Sequence, residues 1–283
     1  MRAIADQLEP GDELVVVVDH NPALLARVRA ELPGTAVPNE HLRGLSGARN
    51  TGVAHATGDI VAFLDDDALP PPAWLRSWRH RFADPTVAAV GGAVEPAWEG
   101  GAAPRWFPPE FGWVVGCDYT GLPPDGARIR NPIGASMAVR RSTLAAVGGF
   151  SELVGRVGTL PAGCEETELG IRLAAADPTA RIVRDVAAPV RHLVPRDRQR
   201  VGYFVRRCYH EGRSKRQLSA LVGSQAGLQS ERRYVTRVLP VGVLRHLAAA
   251  AHGDSAGVSR AALVVVGLLV TGIGYLTTRP VAA

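Results

Sequence analysis

Residues 44–67 read GLSGARNTGVAHATGDIVAFLDDD, and the order of events within them decides the fold class. Ser46 offers a helix N-cap, the helical pattern runs to Ala56, and Gly58 falls just past its end. Asp59 to Leu64 is an apolar strand that ends at once in three aspartates, Asp65, Asp66 and Asp67. Adjacent carboxylates repel one another, and leaving three at the end of a buried strand costs free energy. In open α/β sheets, ligands bind beyond the carboxyl ends of the strands. A carboxylate pair at i, i+2 suits a hard divalent cation with oxygen ligands, Mg2+ or Mn2+, which would also hold a diphosphate. The competing reading is a solvated acidic turn before a proline-rich helix start. Arg49, in the first turns of the helix, can meet a nucleotide phosphate or a carboxylate of the same site. As a surface arginine it would do neither.

The same alternation extends to both sides. Residues 2–9 close a helix, and ELVVVVD, Glu13 to Asp19, is a buried strand. Pro22 to Leu32 is helical in pattern and stops at Pro33-Gly34, before an extended piece from Thr35 to Asn39. Downstream, PPPAWLRSWRHRFA starts a helix on its prolines, and Val87 to Glu95 and Gly134 to Arg141 are further strands. Cys164 to Ala176 is an amphipathic helix with an acidic start; RIVRD is a short strand, followed by an APV turn. The rhythm predicts an α/β fold with a mostly parallel, doubly wound sheet. Residues 96–131 break it with proline, glycine and aromatics, and a long irregular stretch inside a domain is usually functional.

The chain has 283 residues, enough for one large α/β domain and a smaller appendage. Hydrophobic residues make up 46%, which excludes global disorder. Cys117, Cys164 and Cys208 are far apart, odd in number and without metal-ligand spacing, so a reducing compartment is expected. Met1 to Pro10 carries no secretory signal. Residues 1–195 hold 18 Lys/Arg against 23 Asp/Glu, whereas Arg196 to Arg237 holds eleven against three. Such a basic segment faces nucleic acid, an anionic membrane or a phosphorylated ligand. No helix-turn-helix, zinc-finger or RNA-binding signature accompanies it, so no nucleic-acid partner is expected.

Taken together, the strand ending in Asp19, then GARNTG, FLDDD and a later EET closely resemble the inverting family-2 glycosyltransferases, from about Glu13 to about Lys215. The resemblance implies a GT-A fold that binds a nucleotide-sugar donor. It implies that Asp19 contacts the base, that Arg49 supports the nucleotide site, and that Asp65 contacts ribose or metal. Asp67 then ligates the metal, Asp66 counts among the donor contacts, and His192 becomes a third metal ligand. A catalytic base is expected in the acidic pair Glu165-Glu166. Glu166 holds the position where an aspartate is commonest, and a carboxylate suffices to take the proton of an attacking hydroxyl. The bland alternative is that acids favour a helix N-terminus through its dipole. That term does not explain the small residues PAGC just before them. Asn131 and Gly134 would line a sugar pocket; Trp106, Phe107, Phe111, Trp113 and Tyr119 would stack on sugar faces or form a small core of their own. In the resembling family a strand precedes the Asp19 strand, and here it is expected to be missing.

The later basic motif, with Arg198, Arg206, Arg207, Arg213 and Lys215, is similar to that of glycosyltransferases using polyprenyl-phosphate acceptors. That branch includes glucuronosyltransferases acting on glycosylated lipid carriers, which implies a glycan or lipid-linked acceptor. Ala261 to Thr278 carries no charge and would span about 27 Å as a helix. A membrane anchor, a buried core helix and a helix lying in the interface all fit it. The expected organisation is a donor-binding and catalytic domain over 1–195, a basic amphipathic segment over 196–256 and a hydrophobic membrane tail over 257–283. The apolar segment implies a cell-membrane location, and Arg245 and Arg260 favour its N-terminal flank, with the catalytic domain, on the cytoplasmic side. Two other functions stay open: an inactive carbohydrate-binding or scaffold protein with a decayed transferase fold, and a sugar-nucleotidyltransferase, which would want an N-terminal glycine-rich loop.

Overall fold

The computed structural model describes residues 2–32, 34–153, 163–223 and 231–279. After the single turn α1 (Arg2–Ala5), strand β1 (Val15–Val18) pairs in parallel with β2 (Thr35–Pro38), Val16 opposite Ala36. Helix α2 (Pro22–Glu31) makes the crossover. Asn21 caps it by accepting the Leu24 N–H, and Pro22 sits where a missing N–H costs nothing. Among the described residues β1 pairs with β2 alone.

Helix α3 (Leu45–His55) starts two residues earlier than the sequence suggests. Its N-cap is Gly44, at φ 132°, and Ser46 is buried inside the first turn without capping it. The cause is local: a glycine reaches this backbone conformation without strain, and from it the Gly44 N–H donates to Asp19 Oδ2 at 3.1 Å.

The second sheet contains β3 (Ile60–Leu64), β4 (Ala68–Leu69), β5 (Val87–Trp98), β6 (Ser136–Arg140) and β7 (Arg181–Val194), in the order β3-β6-β5-β7-β4. β6 runs antiparallel to both β3 and β5, so those two share one direction with β6 reversed between them. Irregular chain rather than a helical crossover joins β5 to β6, and such a connection permits reversal. Helix α4 (Trp74–Phe82) begins after its prolines rather than on them. Helices α5 (Arg141–Ala146) and α6 (Glu165–Ala176) complete this part. Along β6 alternate residues serve two cores. Met137 and Val139 join Val61, Phe63, Leu144 and Leu169, whereas Ala138 joins Trp74, Trp78, Phe82 and Val90. Each fully buried large side chain stabilises by about 1.5–3 kcal/mol.

β7 is one continuous strand of 14 residues, not a short strand and a turn. From Ala188 onward burial alternates, with Ala188, Val190, His192 and Val194 inward. That is the two-residue period of a strand, and Pro189 occupies an outward position within it.

The chain divides into two compact units, residues 1–93 with 123–191 and residues 94–122 with 192–283. The second unit therefore takes in residues 94–122, which a linear division at 195 leaves with the first segment. It holds a 3₁₀ turn (Pro109–Val115), helix α7 (Val201–Val222), a π turn (Tyr234–Val238), α8 (Leu239–Ala251) and α9 (Gly257–Thr277). Helix α9 packs along α7 and α8. Phe111 is buried against Trp113, Phe204 and Tyr234, and Phe107 against Trp98, Trp106 and Phe204. Phe107 and Phe111 of the loop thus belong to an internal core. Glu110, fully buried beside them, accepts from Arg245 Nη2 at 2.5 Å and lies 3.0 Å from His246 Nε2. A Cβ on Gly242 would come within 2.3 Å of its Oε1, so only glycine fits there.

Candidate functional site

Arg49 is the hub of the first unit. Helix α3 delivers it to a position 6% exposed, where one guanidinium serves three carboxylates. Nη1 donates to Glu166 Oε1 at 2.9 Å and lies 3.8 Å from Glu165 Oε1; Nη2 lies 3.5 Å from Asp65 Oδ1. Nη2 also donates to the Gly134 carbonyl at 3.2 Å. The end of β3, the start of α6 and the residues before β6 are thereby tied to one planar cation. Burial alone would lower the Arg49 pKa, yet the charges of Glu166, Asp65 and Glu165 raise it above the usual arginine value. The surface-arginine reading of Arg49 is excluded.

Two glycines make the hub possible. A Cβ on Gly134 would stand 1.8 Å from Glu166 Oε1 and 2.5 Å from Arg49 Nη2. Gly134 thus admits side chains of the site itself. A Cβ on Gly149 would stand 2.6 Å from Asn50 Oδ1. Asn50 donates to the Phe150 carbonyl at 2.9 Å and accepts its N–H at 2.8 Å. The Phe150 ring lies 5.4 Å from Arg49 Cζ, so the Arg49-Asn50 pair fixes both the cation and the ring beside it.

The aspartate run divides by exposure. Asp66 is exposed, whereas Asp65 and Asp67 are partly buried. Asp65 and Asp67 carry carboxylate oxygens within 4.8 Å of each other. Hard oxygen donors this close fit a divalent cation. At α6 the cap residue Cys164 holds φ 80°, unusual for a residue with a side chain, and turns the helix start so that Glu165 is buried and Glu166 less so. Glu168 is committed elsewhere, to a two-pronged pair with Arg172 at 2.6 Å. Pro161 and Ala162 of the PAGC approach lie outside the described residues.

Asp19, at the end of β1, organises a loop. Oδ1 accepts from Asn39 Nδ2 at 2.7 Å and lies 2.8 Å from His20 Nδ1; Oδ2 accepts from Gly44. Burial works against the charged form, but the bonds from Asn39, His20 and Gly44 outweigh it and hold this carboxyl below its usual range. His192 lies in the second unit, buried on β7, with Nδ1 3.8 Å from Cys117 Sγ. Asn131 is folded onto its own loop, accepting from Arg130 Nε at 2.9 Å and donating to the Pro132 carbonyl at 3.0 Å. On α7, Arg207 and Lys215 grip the partly buried Glu211, whereas Arg206 and Arg213 are exposed. Sequence reasoning missed that Gly134 and Asn50 belong to the Arg49 hub. A glycine among the small residues of NPIGAS was the one available signal.

Residues 1–147 match the family described as Glycosyl transferase family 2. A glucosyl-dolichyl phosphate glucuronosyltransferase of Haloferax volcanii is 33% identical over 214 residues, 74% of this chain and 68% of that protein. A pre-mycofactocin glycosyltransferase of Mycobacterium tuberculosis is 31% identical over 193 residues, 64% of this chain but only 39% of its own length. A mannosyltransferase of Pyrobaculum calidifontis, solved with GDP-Man and Mn2+, superposes with a TM-score of 0.57 at 21% identity, over 95% of this chain and 80% of that one.

Proposed function

Because the chain belongs to glycosyl transferase family 2 and is a glycosyltransferase of the GT-A fold, we propose that it transfers a sugar, with inversion, from a nucleotide-diphosphate donor to a saccharide carried on a lipid phosphate. The observation that carries this reading is the Arg49 hub, which joins the metal-suited end of β3 to the acidic start of α6.

Each residue then has a task. Asp65 and Asp67 hold Mg2+ or Mn2+, with His192 as a third ligand. When bound, the cation neutralises the donor diphosphate and so stabilises it as a leaving group. Asp19 sets the β1–α3 loop against the nucleotide base. Its carboxylate has lone pairs beyond those already used. Asp66, which faces solvent, meets the donor from outside. Arg49 holds Glu166 by one oxygen, and Glu166 Oε2 has no partner among the described residues. Glu166 takes the proton of the acceptor hydroxyl as that oxygen attacks the anomeric carbon. The bond to the diphosphate breaks on the opposite face, which inverts the centre. Residues 1–195 carry this chemistry, 196–256 supply basic charge, and 257–283 attach the protein to the cell membrane with the catalytic part on the cytoplasmic side. One helix among the described residues, Gly257–Thr277, is long and apolar enough to cross a membrane. The relative acting on glucosyl-dolichyl phosphate supports the lipid-linked acceptor.

The test uses full-length protein, Mn2+, a panel of UDP- and GDP-sugars, and dolichyl-phosphate-linked glucose as acceptor. Transfer that stops on chelation is expected. Neither transfer nor donor hydrolysis with any sugar nucleotide would overturn the reading.

A further inference from the structure

Helix α9 is bound to the second unit along one face and bare along the other. On the bound face Gly257, Ala261, Val264, Gly267 and Gly274 are buried. Glycines there bring backbone onto backbone. A Cβ on Gly274 would stand 2.1 Å from the Tyr209 carbonyl oxygen, and one on Gly212 of α7 2.0 Å from that of Thr271. At the other end, a Cβ on Gly257 would stand 2.3 Å from the His246 carbonyl oxygen of α8. These contacts run from the first turn of α9 to its last.

On the opposite face Val258, Val265, Leu269, Ile273 and Leu276 are exposed, at a spacing that forms one stripe. The stripe covers about 27 Å of helix. Helix α8 adds exposed Val241, Leu244 and Leu247. A continuous apolar stripe of this length marks an interaction surface. The charge around it identifies the occupant. From Arg196 to Arg279 there are fourteen Lys/Arg against four Asp/Glu. Arg206 and Arg213 stand exposed two turns apart on α7. An apolar stripe on a segment of this net positive charge complements an anionic bilayer surface. A second copy of the chain would bring like charge against like.

We propose that α9 lies in the plane of an anionic lipid surface, its bare stripe sunk at the boundary of headgroups and acyl chains, and does not cross the bilayer. The glycine contacts weld α9 to α7. Crossing would draw Arg206, Arg207, Glu211, Arg213, Lys215 and Arg216 toward hydrocarbon, where charged side chains are strongly unfavourable. Lying flat leaves every one of them at the water boundary. The inference deepens the proposed function and rests on it for the lipid-linked acceptor: it holds the enzyme at the depth of that acceptor's phosphate.

The experiment uses full-length protein and vesicles of phosphatidylcholine, alone or with equal parts of phosphatidylglycerol. Nitroxide labels go on Val258→Cys, Leu269→Cys and Leu276→Cys; the native cysteines are buried. Flotation with the anionic vesicles and one shallow depth for all three labels are expected. A deep Leu269 label with the other two at opposite surfaces would overturn the proposal. The pair Val265→Asp and Leu269→Asp should cut vesicle binding by at least about tenfold at an unchanged Tm. Failure to float, or a detergent-free dimer whose labels are buried between copies, would also overturn it. Flotation without sugar transfer would leave this surface standing and sink the functional reading instead.

Discussion

Gly134 and Glu166 are separated by more than thirty residues, yet a single methyl group on the first would collide with a carboxylate oxygen of the second at 1.8 Å. Gly134 does not hold a positive φ, so alanine is allowed by the backbone and excluded only by space. Gly134→Ala should displace Glu166 and Arg49 together. The expected result is a loss of about 1–3 kcal/mol in stability, as for other overpacked sites, and a fall in transfer of at least about tenfold. Thermal melting and initial rates on the same preparation check both. Full activity would show that the observed positions of these side chains are not the working ones.

Glu166→Gln keeps the shape of the hub while removing the proposed base. Donor binding should survive and transfer should fall by about a hundredfold or more. Glu165→Gln should lose less, because Glu165 lies farther from Arg49 and deeper in the structure. The reverse ranking in single-turnover assays would move the base by one residue.

Asp67→Ala should abolish cation-dependent binding of the sugar nucleotide while the fold persists. Asp66→Asn, at an exposed position, should cost much less. His192→Gln, which removes the proposed third ligand, should weaken Mn2+ binding by about tenfold. Calorimetric titration with UDP, with and without Mn2+, separates the three variants. Undiminished Mn2+-dependent binding by Asp67→Ala would dismiss the metal assignment.

On α7, burial acts to raise the Glu211 pKa, but Lys215 and Arg207 pull it down to about 2, well below the ordinary glutamate value of 4.5. The folded pKa is therefore depressed. Stability from this carboxylate is fully present above pH 4.5 and is lost as pH falls from there toward 2. Glu211→Gln should destabilise the protein at neutral pH by about 3 kcal/mol, because it leaves two cations less well compensated. It should also flatten the acid limb of a Tm-against-pH curve. Parallel curves for wild type and variant would refute the linkage.

Short-range structure was legible in the residues, and long-range contact was not. Apolar runs placed β1 and β3, and the Pro-Gly stop ended α2 near its observed limit. Ser46 misled because two small residues compete for one cap, and only the hydrogen bond to Asp19 selects Gly44. At β7 the proline of APV suggested a turn, although the alternation running through it was already that of a strand. Arg49, Asp65 and Glu166 were each legible as candidate site residues. Their convergence on one guanidinium was not, since nothing local to GARN requires a carboxylate from α6. Glu110 shows the same limit, because its partners Arg245 and His246 lie more than 130 residues away.

The sharing of Arg49 has a thermodynamic corollary. A cation settling beside Asp65 screens one of the three anions that answer to this guanidinium, and leaves more of its field for Glu165 and Glu166. Cation loading at Asp65 and the hold of Arg49 on Glu165 and Glu166 would then be two ends of one equilibrium. Reciprocity requires each to shift the other by the same free energy. Arg49→Lys retains a positive charge but replaces the fork with a point. It should therefore weaken this coupling even where each half of the site, assayed alone, still works.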